Sequence, residues 1–114
     1  MPHALLEYSS NLSDAIREKQ LTKTVHNTMI TSGLFEAKNI KTRSHMTDDF
    51  YVGTDMGNGS FLHIGISILE GRSTEQKQQL SESLMNAVQP LLPQANSITI
   101  EIRDMDKISY RKSS

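Results

Sequence analysis

The chain contains no cysteine and no tryptophan, and only three prolines in 114 residues. Without cysteine there is no disulfide and no thiolate nucleophile, which fits a reducing compartment. Aromatic residues make up 5% of the chain, so its core must be aliphatic, with the six methionines read as core filling. No apolar run approaches the ~20 residues that a membrane span needs. No basic segment followed by an apolar run stands at the start, as a signal peptide requires. These absences predict a soluble cytoplasmic protein without a membrane partner. A charge excess is lacking too, since 12 Lys and Arg against 13 Asp and Glu leave −1. With no broad basic face to grip phosphates, nucleic acid is not an expected partner. This length fits one domain, and so light a core points towards self-association.

Polar and apolar residues alternate in a readable order. Residues 3–9 read as a strand, with Ala4, Leu6 and Tyr8 on one face. Ser9, Ser10 and Asn11 end it and supply helix caps. A helix is expected from about Ser13 to Ser32, with Ile16, Leu21, Val25 and Met29 near one face and irregular early turns over the polar Glu18–Gln20. Gly33 suits the position just past its end. Asn39 to Met46 is a second strand, with Ile40, Thr42 and Ser44 on one face and Lys41, Arg43 and His45 on the other. Thr47 to Ser60 reads as a loop, with a short strand possible at 50–52 and a turn at 55–60. Phe61 to Leu69 is the most strand-like run, placing Leu62, Ile64, Ile66 and Ile68 together. Ser73 and Gln76 form a capping box that starts a helix. That helix is expected to reach about Leu92, with Leu80, Leu84, Val88 and Leu91 inward and Pro93 as its stop. Ser97 to Met105 is the last strand, and a polar tail follows over 106–114.

The expected fold is therefore α+β: two βαβ-type units, about 1–58 and 59–105, in one mixed sheet with both helices on one face. The likeness between the halves is architectural, without residue identity.

Three features bear on chemistry. Pro2 stands at the head of the first strand. If Met1 is removed, its ring nitrogen becomes a rigid terminal amine, a general base that needs no side chain; the plainer reading is an ordinary start followed by a proline. Lys41 and Arg43 share with His45 a basic strand face of the kind that is usually solvated, and Arg72 after Gly71 is placed to cap a turn or join a subunit contact. His3, His45 and His63 suggest a metal triad, but no fourth ligand stands at a recognisable spacing, and hydrogen-bonded sheet histidines are the expected role.

The segment Ile66-Ser67-Ile68-Leu69-Glu70-Gly71-Arg72-Ser73-Thr74-Glu75-Gln76-Lys77 resembles the strand-to-helix junction of the tautomerase superfamily. Met1-Pro2-His3 is similar to that family's amino-terminal proline. Gly33-Leu34-Phe35, Ile40 to His45 and Phe61-Leu62-His63 resemble its 5-carboxymethyl-2-hydroxymuconate isomerase branch, over roughly residues 2–103. The resemblance implies a homotrimeric isomerase with no cofactor and no metal. Pro2 would be the general base, and Lys41, Arg43 and Arg72 would bind an unsaturated di- or tricarboxylate from aromatic-compound breakdown. The branch carries arginine where this chain has Lys41, which keeps the charge but loses the bidentate grip on a carboxylate. A non-catalytic binding protein of the same fold, with a vestigial proline pocket, is the alternative.

Overall fold

The computed structural model describes residues Met1–Ser114. Its sheet has four strands: β1 (His3–Ser9), β2 (Lys41–Thr47), β3 (Phe61–Leu69) and β4 (Ser97–Met105). Helices α1 (Ser13–Glu18) and α2 (Leu21–Thr31) link β1 to β2, and α3 (Thr74–Val88) links β3 to β4. The strand order is β2-β1-β3-β4. The outer pairs are parallel and the central pair antiparallel, with His3 opposite both Lys41 and Ser67. The expected mixed α+β sheet is present.

Period-two patterning builds the centre. Leu62, Ile64, Ile66 and Ile68 of β3 and Ala4 and Leu6 of β1 are all at most 1% exposed, because alternate side chains of a strand share a face. Helices cover that face with four-residue spacing, through Leu21, Val25 and Met29 of α2 and Leu80, Leu84 and Val88 of α3. Burying such a side chain contributes about 1.5–3 kcal/mol, which is why these stripes fix the helices on one side. The capping box forms as expected. Ser73 Oγ accepts from the Gln76 amide at 3.1 Å, and Gln76 Oε1 accepts from the Ser73 amide at 2.9 Å. Gly33 follows α2 with φ +74°, a conformation that costs glycine nothing.

Three expectations are corrected. The helix expected over 13–32 is two helices, broken where Gln20 takes a left-handed conformation at φ 54°. In an unbroken helix Ile16 and Leu21 would point about 140° apart; after the break both are buried. The second helix ends at Val88 rather than near Leu92, and Gln89–Leu91 form a 3-10 turn. Pro90 has no N–H to continue the ladder, and the turn buries Leu92, leaving Leu91 half-exposed. No strand forms at 50–52. Turns take over there, with Asp55 N–H donating to the Val52 carbonyl at 2.9 Å, and Phe50 lays its ring edge-on to Phe61 at 5.9 Å.

The other sheet face carries no helix. His3, Leu5 and Glu7, then Lys41, Arg43 and His45, then His63, Gly65 and Ser67 occupy it in three adjoining rows. No helix is long and apolar enough to cross a membrane.

Candidate active site

The amino terminus sits where the sheet is pinned. Pro2 is buried, and its carbonyl accepts from the Lys41 amide at 3.1 Å. That bond starts the parallel β1–β2 ladder, so Pro2 is held by backbone and needs no N–H of its own. Burial is the first cause that holds the terminal amine of Met1 below its ordinary 8.0, followed by the positive charges of Lys112, Arg72 and Lys41. Both effects disfavour the ammonium form. The cationic surroundings belong to the place, and removing Met1 would put the Pro2 nitrogen into it.

Arg72 reaches this region from the β3–α3 junction. Gly71 precedes it with φ +124°, a conformation that L side chains rarely adopt. Arg72 Nη2 donates to the Leu34 carbonyl at 2.7 Å and Nη1 to the Leu69 carbonyl at 3.4 Å. Its Cζ lies 4.9 Å from the centre of the Phe35 ring. The guanidinium is thus fixed between the end of β3 and the segment after α2 before any ligand arrives.

Arg43 lies beside Lys41 on the uncovered sheet face, where its Nη1 donates to His3 Nδ1 at 3.3 Å. That contact makes Nδ1 the acceptor, so His3 Nε2–H donates to the Tyr110 hydroxyl, 2.9 Å away. Burial first, then Arg43 and Lys41, keep His3 below its ordinary 6.5 and so favour the neutral ring. A cleft of about 250 Å³ opens beside it, lined by His3, Glu7, Arg43, His63 and Arg103 among others. The structure therefore gathers Lys41 and Arg72 around the amino terminus, and Arg43, on the strand face that it shares with Lys41, meets His3 one residue along β1.

The histidines do not converge. His3 is tied to Arg43 and Tyr110, and His63 Nδ1 pairs with Thr99 Oγ1 at 2.6 Å. No three His, Asp or Glu side chains are grouped as metal ligands would be. The largest cleft, about 380 Å³ lined by Tyr8, Ile16, Gln20 and Ser44 among others, lies at the far end of β1, about 20 Å from Pro2. It holds none of the chemistry that the sequence singles out.

Two residues here escape the sequence pattern. Tyr110 and Lys112 stand in a tail that reads only as polar, yet Tyr110 meets His3, and Lys112 Nζ donates to Asn39 Oδ1 at 3.2 Å. The available signal is slight: Tyr110 is a lone aromatic in a polar tail and precedes Arg111 and Lys112.

Comparison with known proteins identifies the family and the fold. A family model described as 5-carboxymethyl-2-hydroxymuconate isomerase matches residues 2–113. The chain is 28% identical over 88 residues to a 5-carboxymethyl-2-hydroxymuconate Delta-isomerase of Escherichia coli, covering 77% of this chain and 70% of that one. A crystal structure of a 5-carboxymethyl-2-hydroxymuconate isomerase from Deinococcus radiodurans R1 superposes with a TM-score of 0.88 at 21% identity, covering 99% and 89% of the two chains. A symmetric trimer of a wild-type fused 4-OT gives 0.81 at 16% identity, covering 98% and 92%.

Proposed function

The chain belongs to the 5-carboxymethyl-2-hydroxymuconate isomerase family and is an isomerase of the tautomerase fold; from that premise we propose that it ketonises an unsaturated di- or tricarboxylate dienol, with Pro2 as the general base. The supporting observation is the position of Pro2. It heads β1, buried, where burial and the charges of Lys112, Arg72 and Lys41 act together against a charged amine.

The chemistry follows from that position. With Met1 removed, the ring nitrogen has a lone pair and stands in the surroundings whose burial and positive charges act against the ammonium form of the Met1 amine, as a base working at neutral pH requires. It takes the proton from the dienol hydroxyl, leaving a dienolate. Lys41 and Arg72 bind carboxylate and stabilise the developing oxyanion. The pyrrolidinium then returns the proton to the far carbon of the conjugated system, giving an unsaturated ketone. One proton is relocated, so the balance needs neither electrons nor a second substrate. Arg43 spends one of its five N–H donors on His3, and the others can serve as a further carboxylate contact. Lys41 supplies charge without a planar fork, so its grip on carboxylate is less directional than an arginine's.

The same reading makes the protein a homotrimer in the breakdown of aromatic compounds, where ring cleavage yields unsaturated diacids. The symmetric trimer described for a fused 4-OT of the same fold and the uncovered sheet face support the assembly. Protein beginning at Pro2 is tested on 2-hydroxymuconate dienol by its ultraviolet decay across pH. The expected rate rises with pH through a pKa below 8.0, and Pro2→Ala, which keeps a primary amine, retains part of it. A Pro2→Ala variant with the full rate and an unchanged profile would remove Pro2 from the mechanism.

A further inference from the structure

The last residues of the chain return to its first ones. After β4 a turn closes at Asp106, whose carbonyl accepts from the Tyr110 amide at 3.1 Å and whose Oδ1 accepts from the Ile108 amide at 3.3 Å. Arg111 Nη1 donates to the Ile108 carbonyl at 2.7 Å. The turn delivers Tyr110 to His3 by a hydrogen bond of 2.9 Å and an edge-on ring contact at 6.1 Å. Two residues further on, Lys112 Nζ reaches Asn39 in the turn that leads into β2. Two contacts, spanning 107 and 73 residues of sequence, thus seat one short segment beside the amino terminus.

We propose that residues 106–112 form part of the binding site, with Lys112 an additional cation for a second carboxylate of the substrate and Tyr110 the positioning residue that seats it through His3. The inference rests on the reading that the amino-terminal site takes an anionic diacid. Lys112 has three N–H donors; Asn39 takes one and two remain for an anion. The one side-chain partner of Lys112 is the neutral Asn39 amide, and no carboxylate pairs with it, so its charge is not neutralised within the chain. The same charge leads the electrostatic causes that hold the terminal amine down, ahead of Arg72 and Lys41.

The test is binding, so it does not depend on the base. trans,trans-Muconate and sorbate are six-carbon dienes that differ by one carboxylate, and their affinities are measured by calorimetry on full-length wild-type, Lys112→Ala, Lys112→Arg and Tyr110→Phe proteins at fixed ionic strength. Wild type is expected to prefer muconate. Lys112→Ala should lose about three- to tenfold on muconate, as for a partly solvated charge contact, and stay within twofold on sorbate. Lys112→Arg should restore the difference. Tyr110→Phe keeps the ring but frees the segment, and should weaken muconate selectively. Lys112 is exposed, so its variants should melt with wild type. A wild type that binds both acids equally, or a Lys112→Ala protein that binds muconate as wild type does, would overturn the proposal. That result would leave Pro2 untouched, whereas loss of the Pro2 reading in the dienol assay would leave this affinity pattern standing.

Discussion

Replacing Arg72 by alanine separates what this side chain does for the fold from what it does for the amine. Its strongest contact is the 2.7 Å hydrogen bond to the Leu34 carbonyl. A charged hydrogen bond contributes about 1.5–3 kcal/mol, and a half-buried side chain belongs at the low end. The 3.4 Å bond to Leu69 adds little. The guanidinium over Phe35 adds about 0.5–1 kcal/mol. Arg72→Ala should therefore cost about 2–3 kcal/mol, read in urea as a lower midpoint at unchanged slope. For a chain of this size that is a fall of roughly 10 °C in Tm. Arg72→Lys keeps the charge and loses the planar fork, so it should recover less than half of the stability. The amine responds differently. Arg72 is one of the charges that act against a charged Met1 amine at this terminus, so its removal should favour the ammonium form of the Pro2 amine, and the rising limb of kcat/KM should move to higher pH in Arg72→Ala but not in Arg72→Lys. A stability loss below about 0.5 kcal/mol, well under a typical charged hydrogen bond, would refute the anchoring argument. An unmoved limb in Arg72→Ala would refute the electrostatic one.

Ser73→Ala removes the hydroxyl that caps α3 and should cost about 1 kcal/mol, measured by urea denaturation, with Ser73→Gly closer to wild type. Leu84→Ala opens a cavity under α3, where Leu84 is fully buried, and should cost about 2–5 kcal/mol in the same assay. The folded His3 pKa lies below 6.5 while the unfolded value is the ordinary one. The stability this gives is complete above pH 6.5 and is lost as pH falls from there towards the folded pKa. His3→Gln should flatten that slope, and Arg43→Ala should raise the His3 pKa in an NMR titration, because Arg43 is the nearest charge opposing its protonation.

Much of the fold was legible because its information is local. The Leu62-to-Ile68 alternation and the reciprocal Ser73–Gln76 cap are written within a few residues, and both are found as read. Leu21, Val25 and Met29 likewise announce α2. The departures arise where a distant demand overrides the local pattern. Gln20 turns left-handed so that Ile16 and Leu21 reach one core, and Pro90 ends a helix whose apolar spacing continues to Leu92. At the site, the gathering of Lys41 and Arg72 at the amino terminus follows from β1–β2 pairing and the β3–α3 junction, both readable. The meeting of Arg43 with His3 and the return of Tyr110 and Lys112 are contacts across 40 to 107 residues. No periodicity encodes such distances, and only the folded chain reveals them.

The claim that the amino-terminal nitrogen is the base has one direct test. Two proteins are compared, one beginning at Pro2 and the other retaining Met1, identical from Pro2 to Ser114 and verified by mass spectrometry. In the longer chain the proline nitrogen is an amide, its lone pair delocalised into the carbonyl, while the Met1 amine stands one residue further out. Ketonisation of the dienol is followed by ultraviolet absorbance at several pH values, with sedimentation confirming that both assemble alike. The account predicts a rate for the protein beginning at Pro2 that rises with pH through a pKa below 8.0, and no rate above background for the chain that keeps Met1. Equal rates from the two would contradict it and transfer the base to a side chain, with His3, one residue along β1, the first to be replaced.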